Sequence, residues 1–190
     1  MKNTLRAFIA VDITSEIRKE LFRLQSELKK SLKGNISWVE LKNIHLTLRF
    51  LGQINDEQLE EIKKIVEETG KKIKKFNLGL GLIRAFPDVS NPRIVWVGIN
   101  YGFKQLNEIN AELEDKLEII NFTVREKHFH PHFTIARVKS IDGKNILPEI
   151  TRKIRPKLLT EAVDKLIIFQ SELTPQGAKH TELFEAKLST

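Results

Sequence analysis

The sequence of 190 residues contains no cysteine and only one methionine. Without cysteine, the chain cannot form a disulfide scaffold, a thiolate nucleophile or a zinc site built from thiolates. Long hydrophobic runs are also missing, and a membrane-spanning helix needs roughly 20 consecutive apolar residues. The apolar stretch at residues 7–11 is too short for a signal peptide and ends at Asp12. We therefore expect a cytoplasmic protein that does not use a membrane.

Neither sign of charge dominates, because 32 lysines and arginines stand against 25 acidic residues, a net charge of +7. This modest basic excess is compatible with a polyanionic partner such as RNA. Charge alone favours the simpler interpretation, a solvated surface rich in lysine and glutamate. Hydrophobic residues make up 41% of the chain, which is enough to bury a core. A monomer is the default expectation.

Hydrophobic periodicity predicts interleaved strands and helices along the whole chain. Alternating or short apolar runs predict strands at residues 5–12, 44–51, 76–86, 93–99, 132–138, 166–173 and 181–188. Apolar spacings of three and four predict helices that begin near Thr14, Asn55 and Leu106. No low-complexity linker divides the chain, so we expect residues 1–190 to form a single domain.

Two segments of the chain repeat the same spacing between an arginine and a histidine. Arg6 begins a strand-helix unit and His45 follows 39 residues later, while Arg93 begins a second unit and His132 follows 39 residues later. Both pairs are therefore offset by 87 residues. We interpret this regularity as an internal duplication that produces two similar lobes. The apolar positions of the helices align less well under the same shift.

Each repeat carries the short pattern His-x-Thr-x on a predicted strand. His45 and Thr47 belong to the first repeat, and His132 and Thr134 to the second. Residues two apart on a strand point to the same side, while their apolar neighbours point into a core. Two such strands related by a twofold axis would place two imidazoles and two hydroxyls across a cleft. A single motif carries little information, but the paired occurrence predicts a site.

This set of side chains suits the cleavage of a phosphodiester without a metal ion. A neutral imidazole can accept a proton from an attacking water, and a protonated imidazole can donate one to the leaving oxygen, because histidine titrates near neutral pH. The two hydroxyls can bind the non-bridging phosphate oxygens, where negative charge grows during the reaction. We therefore expect no cofactor and no metal. The residues alone do not assign which histidine is the acid and which is the base.

With these motifs, the sequence resembles the two-histidine phosphoesterase superfamily, and within it the RNA 2′,3′-cyclic phosphodiesterases, also called 2′-5′ RNA ligases. The resemblance extends over essentially the whole chain and includes the two motifs in this order. The segments that carry it are Arg-Ala-Phe-Ile-Ala-Val at residues 6–11, His-Leu-Thr-Leu-Arg-Phe-Leu-Gly at 45–52, Val-Trp-Val-Gly at 95–98, His-Pro-His-Phe-Thr-Ile-Ala-Arg at 130–137 and Ser-Glu-Leu-Thr-Pro-Gln-Gly at 171–177.

The resemblance implies an α+β fold of two similar lobes related by a pseudo-twofold axis, in which antiparallel sheets flank a central cleft and the helices lie outside. It implies hydrolysis of an RNA 2′,3′-cyclic phosphate to a 2′-phosphate, and also a reversible 2′-5′ joining of tRNA halves. By the same resemblance, His45 would donate a proton to the departing 3′ oxygen and His132 would accept one from water. The implied partner is RNA with a 2′,3′-cyclic phosphate end, including tRNA halves.

Several further residues are candidates for contact with the substrate. Arg137 follows the second motif as the basic residue of the family does, and we expect it to bind the phosphate if a bulge brings it to the face of the histidine. Phe8 and Phe50 are candidates for stacking on bases, although the parity of Phe50 also fits the core. Trp96 fits simple packing. His180 stands where the family would have an aromatic residue such as tyrosine.

Three alternatives remain open. His128, His130 and His132 alternate and would align on a strand as a metal site, but Pro131 interrupts the strand and no acidic cluster lies nearby in the sequence. A non-catalytic RNA-binding module fits the charge but leaves the paired motifs unexplained. Activity retained after both His45→Ala and His132→Ala would favour that module. An enzyme for small cyclic nucleotides is distinguished by comparing its turnover of those molecules and of RNA with a cyclic phosphate end.

Overall fold

The computed structural model describes residues 4–122, 129–143, 146–175 and 177–190. In this part of the chain, helices run over Ser15–Ser31 (α1), Asp56–Lys72 (α2), Phe103–Ile119 (α3) and Ile146–Lys153 (α4). The strands are Thr4–Val11 (β1), Ile36–Trp38 (β2), Leu46–Asn55 (β3), Phe76–Phe86 (β4), Ile94–Tyr101 (β5), Phe133–Val138 (β6), Thr160–Val163 (β7), Lys165–Thr174 (β8) and Gly177–Lys187 (β9). None of these helices is long and apolar enough to cross a membrane.

The strands form one antiparallel sheet in the order β7-β4-β5-β6-β3-β1-β8-β9, with β2 beside β6. Strands β3 and β6 meet at the centre, where Leu46 lies opposite Phe133. A group of five strands, which includes β2, and a group of four thus join through one short contact. The predicted α+β fold with antiparallel strands is confirmed, and this contact makes the sheets of the two predicted lobes continuous.

The apolar faces of the helices pack against one face of the sheet and form a single core. On α1 and α3 these faces repeat every three or four residues, and they consist of Leu21, Leu24 and Leu28 on α1 and of Leu106, Ile109, Leu113 and Leu117 on α3. Each fully buried side chain of this kind contributes about 1.5–3 kcal/mol to stability. The opposite face of the sheet carries the candidate site described below.

The helix starts that the sequence predicts near Thr14 and Asn55 are present. Asn55 and Gln58 form a capping box at the start of α2, in which each side chain bonds the backbone of the other residue. Thr14 occupies the N-cap position of α1, but its hydroxyl donates to the carboxylate of Glu161 rather than capping the helix. That contact ties the start of α1 to β7.

Apart from the short strands β2 and β7, the order of elements repeats along the chain, because β1-α1-β3-α2-β4 is followed by β5-α3-β6-α4-β8. In the sheet, the last strand of each unit pairs with the first strand of the other, since β4 pairs with β5 and β8 pairs with β1. Strands β1 and β5, and likewise β3 and β6, therefore occupy equivalent positions on either side of the centre. The internal duplication stays a prediction, and this order is consistent with it.

Equivalent positions are separated by different numbers of residues in different elements. In the sheet, Phe8 lies opposite Phe50 and Ile94 lies opposite Arg137. Equivalent residues are therefore 87 apart in β3 and β6 (Phe50 and Arg137), 86 apart in β1 and β5 (Phe8 and Ile94) and 85 apart in α1 and α3 (Leu21 and Leu106). A single shift of 87 is thus wrong for the two arginines that begin the predicted units. Loops of unequal length between the elements account for the difference.

Candidate active site

The two motifs meet at the centre of the sheet, on the face away from the helices. Continued by one residue in each direction, the register of the β3–β6 contact sets His45 opposite Thr134 and Thr47 opposite His132. Opposite residues on antiparallel strands have Cβ atoms about 4.5–5.5 Å apart. All four side chains are half-buried. The structure thus brings two imidazoles and two hydroxyls together on one surface.

A β-bulge changes the direction of the side chains after the first motif. The residues on either side of Leu48 pair with the adjacent Ile9 and Ala10 of β1, so Leu48 itself has no partner in that strand. The extra residue reverses the alternation beyond it. Phe50 therefore shares the face of the motif, with its side chain 52% exposed. The prediction from strict alternation that Phe50 lies in the core is therefore wrong. Its ring is available to a base.

A second bulge occupies the equivalent place in β6. The residues on either side of Ile135 pair with the adjacent Val95 and Trp96 of β5, and Ile135 has no partner there. The reversal carries Arg137 to the face of the second motif, where its side chain is exposed. The bulge that this placement of Arg137 requires is thus present. Arg137 holds in β6 the position that Phe50 holds in β3.

A buried side-chain amide supports each bulge. Gln25 of α1 is 1% exposed and donates from Nε2 to the carbonyl oxygens of Ile135 and Val39, each at 2.8 Å. Asn110 of α3 donates from Nδ2 to the carbonyl oxygen of Leu48 at 2.9 Å. The carbonyl of Leu48 in the first bulge thus has a side-chain donor, and the carbonyl of Ile135 in the second accepts from Gln25 and also from the backbone N–H of Val39 at 3.0 Å. Each helix supports the motif strand of the other repeat unit.

A buried ion pair holds β3 just beyond the first bulge. Arg49 is 1% exposed; its Nε lies 2.7 Å from Oε1 of Glu114 on α3, and its Nη1 donates to the carbonyl oxygen of Phe50 at 3.0 Å. Strict alternation would place Arg49 on the face of His45, and the bulge moves it into the interior instead. Because a buried charge without its partner destabilises strongly, this pair ties β3 to α3.

His45 follows a short 3₁₀ turn that α1 holds in place. Arg18 of α1 donates from Nη1 to the carbonyl oxygens of Leu41 at 2.7 Å and Ile44 at 3.3 Å. The imidazole of His45 itself forms a hydrogen bond with the backbone of Asn43, which favours its protonated form. The chain on the N-terminal side of this histidine is therefore anchored to α1, and Asn43 also donates from Nδ2 to the carbonyl oxygen of Ala178 in β9 at 2.7 Å.

Aromatic rings surround His45. Phe8 stacks on the imidazole with ring centroids 4.4 Å apart and planes at 26°, and Phe169 stacks on Phe8 at 5.4 Å. His180 meets the imidazole edge-on at 4.8 Å, which places it in the site although it departs from the expected aromatic residue. Phe8 is only 3% exposed and so does not offer a face to a base. The ring of Phe8 instead lies beneath His45 at the floor of the site. The ring centroid of Phe50 is 6.2 Å from that of Phe8.

The environment of His132 determines which ring nitrogen carries the proton in the neutral form. Nδ1 lies 2.6 Å from the carbonyl oxygen of His130. Since a carbonyl can only accept, Nδ1 donates and Nε2 keeps its lone pair. Phe86 and Trp96 lie 5.4 and 5.5 Å from the imidazole and stack on each other at 4.8 Å. Trp96 is therefore a packing residue, as the sequence suggested, and it packs at the floor of the site.

Burial lowers the pKa of both motif histidines. It is the main cause for His45, whose pKa falls to about 3, and the neighbouring charges of His180 and Arg18 lower it further. Burial also lowers the pKa of His132, and the charges of His130 and Arg137 act in the same direction. Without an anion beside them, both motif imidazoles are therefore neutral at pH 7.

No group of three histidine, cysteine, aspartate or glutamate side chains is placed to hold a metal ion in the part of the chain that the structure describes. His128 lies outside the described residues. The alternative of a metal site built from His128, His130 and His132 therefore stays a prediction.

The structure adds residues that the sequence analysis did not single out. Phe86 and Phe169 complete the aromatic floor, and Gln25 and Asn110 support the bulges. A polar residue inside an apolar helical stripe was a usable signal for the two amides, because each directly follows a buried residue of its stripe. The two phenylalanines are ordinary apolar strand residues and have no such signal.

The model of the family described as LigT like Phosphoesterase matches the chain twice, over residues 11–96 and 97–180. The chain belongs to this family. The resemblance drawn from the motifs is thereby confirmed, and the juxtaposed side chains of β3 and β6 form the candidate active site of a LigT-like phosphoesterase.

Relatives and solved structures agree with this assignment. The RNA 2′,3′-cyclic phosphodiesterase of Aquifex aeolicus is 35% identical over 185 residues, which cover 95% of this chain and 96% of the relative. That of Methanocaldococcus jannaschii is 34% identical over 174 residues, 91% of this chain and 95% of the relative. A crystal structure from Thermus thermophilus matches with a TM-score of 0.81 at 24% identity, over 97% of this chain and 98% of that one. E. coli LigT complexed with 3′-AMP matches with a TM-score of 0.79 at 21% identity, over 99% and 100% of the two chains. The two crystal structures show that the LigT-like fold is shared.

Proposed function

We propose that this LigT-like phosphoesterase hydrolyses RNA 2′,3′-cyclic phosphodiesters to 2′-phosphomonoesters by acid–base catalysis with His45 and His132. The observation that carries the proposal is the meeting of both motifs on one face of the sheet, at the β3–β6 contact. The names of the relatives in A. aeolicus and M. jannaschii, which match over nearly the whole chain, supply the substrate class.

His132 is the base in this proposal and His45 is the acid. Nε2 of His132 accepts a proton from a water molecule as the water oxygen attacks the phosphorus. The bond between phosphorus and the 3′ oxygen breaks, and His45 donates a proton to that oxygen. The products are a 2′-phosphate and a 3′-hydroxyl. The hydrogen bond from His132 to the carbonyl of His130 supports the role of base, because it leaves the lone pair on Nε2.

The substrate itself supplies the charge that the acid needs. The pKa of His45 is about 3 in the free protein, so the imidazole must gain a proton when the substrate binds. A phosphodiester carries a negative charge, and an opposite charge within about 4–6 Å favours the protonated form of a histidine. We infer that bound phosphate raises the pKa of His45 and thereby prepares it as the proton donor.

The remaining candidate residues bind the phosphate and the base. The hydroxyls of Thr47 and Thr134 donate to the non-bridging oxygens, where charge grows in the transition state. Arg137 adds a positive charge on the same face, beyond the bulge of β6. Phe50 offers the exposed ring on which a base of the RNA stacks.

The proposal has further parts that concern the whole protein. Residues 1–190 form one domain with an internal duplication, which the repeated order of elements supports. The protein is a cytoplasmic monomer. Joining of tRNA halves uses the same site, with a 5′-hydroxyl in place of water as the attacking group, and the same residues serve both reactions.

End-group analysis tests the proposed reaction. An RNA oligonucleotide with a 2′,3′-cyclic phosphate end is incubated with the protein and a chelator, and we expect a 2′-phosphate product. A 3′-phosphate product, or none, would contradict the proposal. Activity that disappears with the chelator and returns with one divalent ion would favour a metal site, and His128→Asn would then also be inactive.

Matched variants test the assigned residues. His45→Asn and His132→Asn should lose activity, whereas His128→Asn serves as the control and should retain it. Activity retained in both motif variants would favour a non-catalytic RNA-binding module. Much faster turnover of a small cyclic nucleotide than of RNA would favour the alternative of a small-molecule phosphodiesterase.

A further inference from the structure

A row of three side chains leads out of the candidate site across β6, β5 and β4. Thr134 pairs with Trp96, and Trp96 pairs with Arg84. Directly paired residues on antiparallel strands share a face, and neighbouring strands are about 4.8 Å apart. Arg84, whose side chain is exposed, therefore stands two strand spacings, or about 10 Å, from Thr134.

The equivalent sheet positions on the other side of the site carry no charge. Thr47 pairs with Ala10, and Ala10 pairs with Ile167 of β8. Both Ala10 and Ile167 are fully buried. At equivalent places in the sheet, a cation and a tryptophan thus extend the site on the side of His132, while small or apolar side chains close it on the side of His45. Because the two sides differ, a bound substrate is favoured in one orientation across the site.

A groove of about 530 Å³ lies along the side that carries the charge. Trp96 and His130 belong to its lining, so the groove is continuous with the candidate site. Arg84 and Arg155 also line it, and both side chains are exposed. Among the described residues the lining contains no aspartate or glutamate. The groove, called here the Arg84–Arg155 groove, therefore favours an anionic occupant.

Apolar surface is exposed along the same groove. Leu82, Phe103 and Leu158 line it and are 46%, 48% and 91% exposed. The floor of the groove at Gly81 and Gly98 is backbone without side chains. The two strands are close there, because a Cβ added to Gly81 would lie 3.0 Å from the carbonyl carbon of Gly98. Surfaces that bind single-stranded nucleic acid combine positive charge along the backbone with exposed rings on which bases stack. The groove has both features.

We propose that the Arg84–Arg155 groove binds the RNA nucleotides that precede the terminal cyclic phosphate. Arg84 contacts the phosphate next to the terminal nucleotide, Arg155 contacts a phosphate farther along, and Phe103 stacks on a base. This inference rests on the proposed function, which sets the cyclic phosphate between the two motif histidines. A 2′,3′-cyclic phosphate ends its strand, so the rest of the RNA leaves the site in one direction only. We place the rest of the RNA along the groove, because the groove lies on the side of the site that carries the positive charge.

The test compares a short and a long substrate. Turnover is measured for adenosine 2′,3′-cyclic phosphate and for a tetranucleotide that ends in the same group. In the double variant Arg84→Ala/Arg155→Ala, we expect the KM for the tetranucleotide to rise roughly tenfold from the loss of phosphate contacts, with the KM for the mononucleotide within about twofold of wild type. Arg152→Ala removes an exposed arginine of α4 that does not line the groove, and it should change neither value.

The salt dependence of binding provides a second test that does not need turnover. The tetranucleotide with a 2′-phosphate end serves as the probe, and its affinity is measured by fluorescence anisotropy. Each phosphate contact on a single strand adds about 0.7 to the slope of log affinity against log salt. The double variant should therefore have a slope smaller in magnitude by about 1.4 than wild type and the Arg152→Ala control.

The outcomes separate the two proposals. An unchanged KM and an unchanged salt slope in the double variant would overturn the role of the groove. Equal loss for both substrates would overturn it as well, because the groove begins beyond the terminal nucleotide. If wild type turns over neither substrate, the proposed function fails, and the salt slope still tests the groove.

Discussion

Asn110 of α3 donates a hydrogen bond to the carbonyl oxygen of Leu48, within the bulge of β3. Gln25 of α1 makes the same contact with Ile135, within the bulge of β6. The helix of each repeat unit thus supports the motif strand of the other unit. The relative position of the two histidines consequently depends on both helices.

Replacing Asn110 by leucine removes the donor and keeps the branched shape of the side chain. We expect the free energy of unfolding to fall by about 1–3 kcal/mol, because a buried carbonyl loses its partner, and kcat to fall with it. Asn107→Leu on the same helix is the control. Its side chain bonds only the carbonyl of Phe103, one turn earlier, and a surface change of this kind alters stability by about 0.5 kcal/mol or less. Urea denaturation and turnover measure both effects, and equal behaviour of the two variants would contradict the support of the bulge.

The rate of hydrolysis should have a bell-shaped dependence on pH, since one imidazole must be neutral and the other charged. His45→Asn and His132→Asn should each reduce the rate by about 10²–10⁴. The double variant should lose much less than the product of the two, because the residues act as a unit. A rate that rises monotonically from about pH 5 to 9 would exclude the acid–base pair.

The threonines of the motifs are tested by Thr47→Val and Thr134→Val. Valine keeps the branched shape and the preference for strands but removes the hydroxyl. We expect the rate to fall more than the affinity for RNA, because negative charge grows on the phosphate oxygens during the reaction. Single-turnover rates, RNA affinity and Tm should be measured together. If threonine serves only as a strand former, both rates will remain at the wild-type level.

Binding of an anion should be accompanied by uptake of protons. The pKa of His45 is about 3 in the free protein, and a bound anion raises it. Between the two pKa values the complex holds more protons than the free protein. Sulfate is a suitable probe because it does not titrate in this range. Calorimetry at about pH 6 in buffers of different ionisation enthalpy should show the uptake, and His45→Asn should reduce it. A binding enthalpy independent of the buffer would contradict this expectation.

The same depressed pKa predicts how stability depends on pH. In the unfolded chain the histidine is protonated below its ordinary pKa of about 6.5. In the folded protein His45 remains neutral until the pH falls to about 3. The contribution of His45 to stability is therefore complete above about pH 6.5 and is lost as the pH falls towards 3. His45→Asn should flatten this part of the curve of unfolding free energy against pH. A slope identical to that of wild type would show that His45 is not the group responsible.

The sequence was sufficient to place the motif residues on one face, because His45, Thr47, His132 and Thr134 all stand before the bulges, where simple alternation holds. Beyond the bulges alternation fails. Leu48 is an ordinary strand residue, and no glycine or proline marks the irregularity. The bulge lies in the pairing with β1 and receives a hydrogen bond from Asn110 of α3, and both are contacts distant in sequence.

The strands and helices were predictable for the same reason, since their periodicity is local. The short edge strand β7 was not predicted, because its four residues alternate too briefly to be distinguished from a loop. The order of strands in the sheet could not be predicted from the sequence either. The pairing of β8 with β1 joins residues near opposite ends of the chain, and local patterns contain no information about such partners.

The exchange of strands between the repeat units has a consequence for how this site came to differ on its two sides. A chain of half this length, with a single unit, would pair its last strand only with the first strand of another copy, as a twofold dimer. In such a dimer every residue occurs on both sides of the axis, so a change that suits one side is imposed on the other. Joining the units in one polypeptide removes that constraint. Arg84 and Ile167, at equivalent places in the sheet, are such a difference between the two sides.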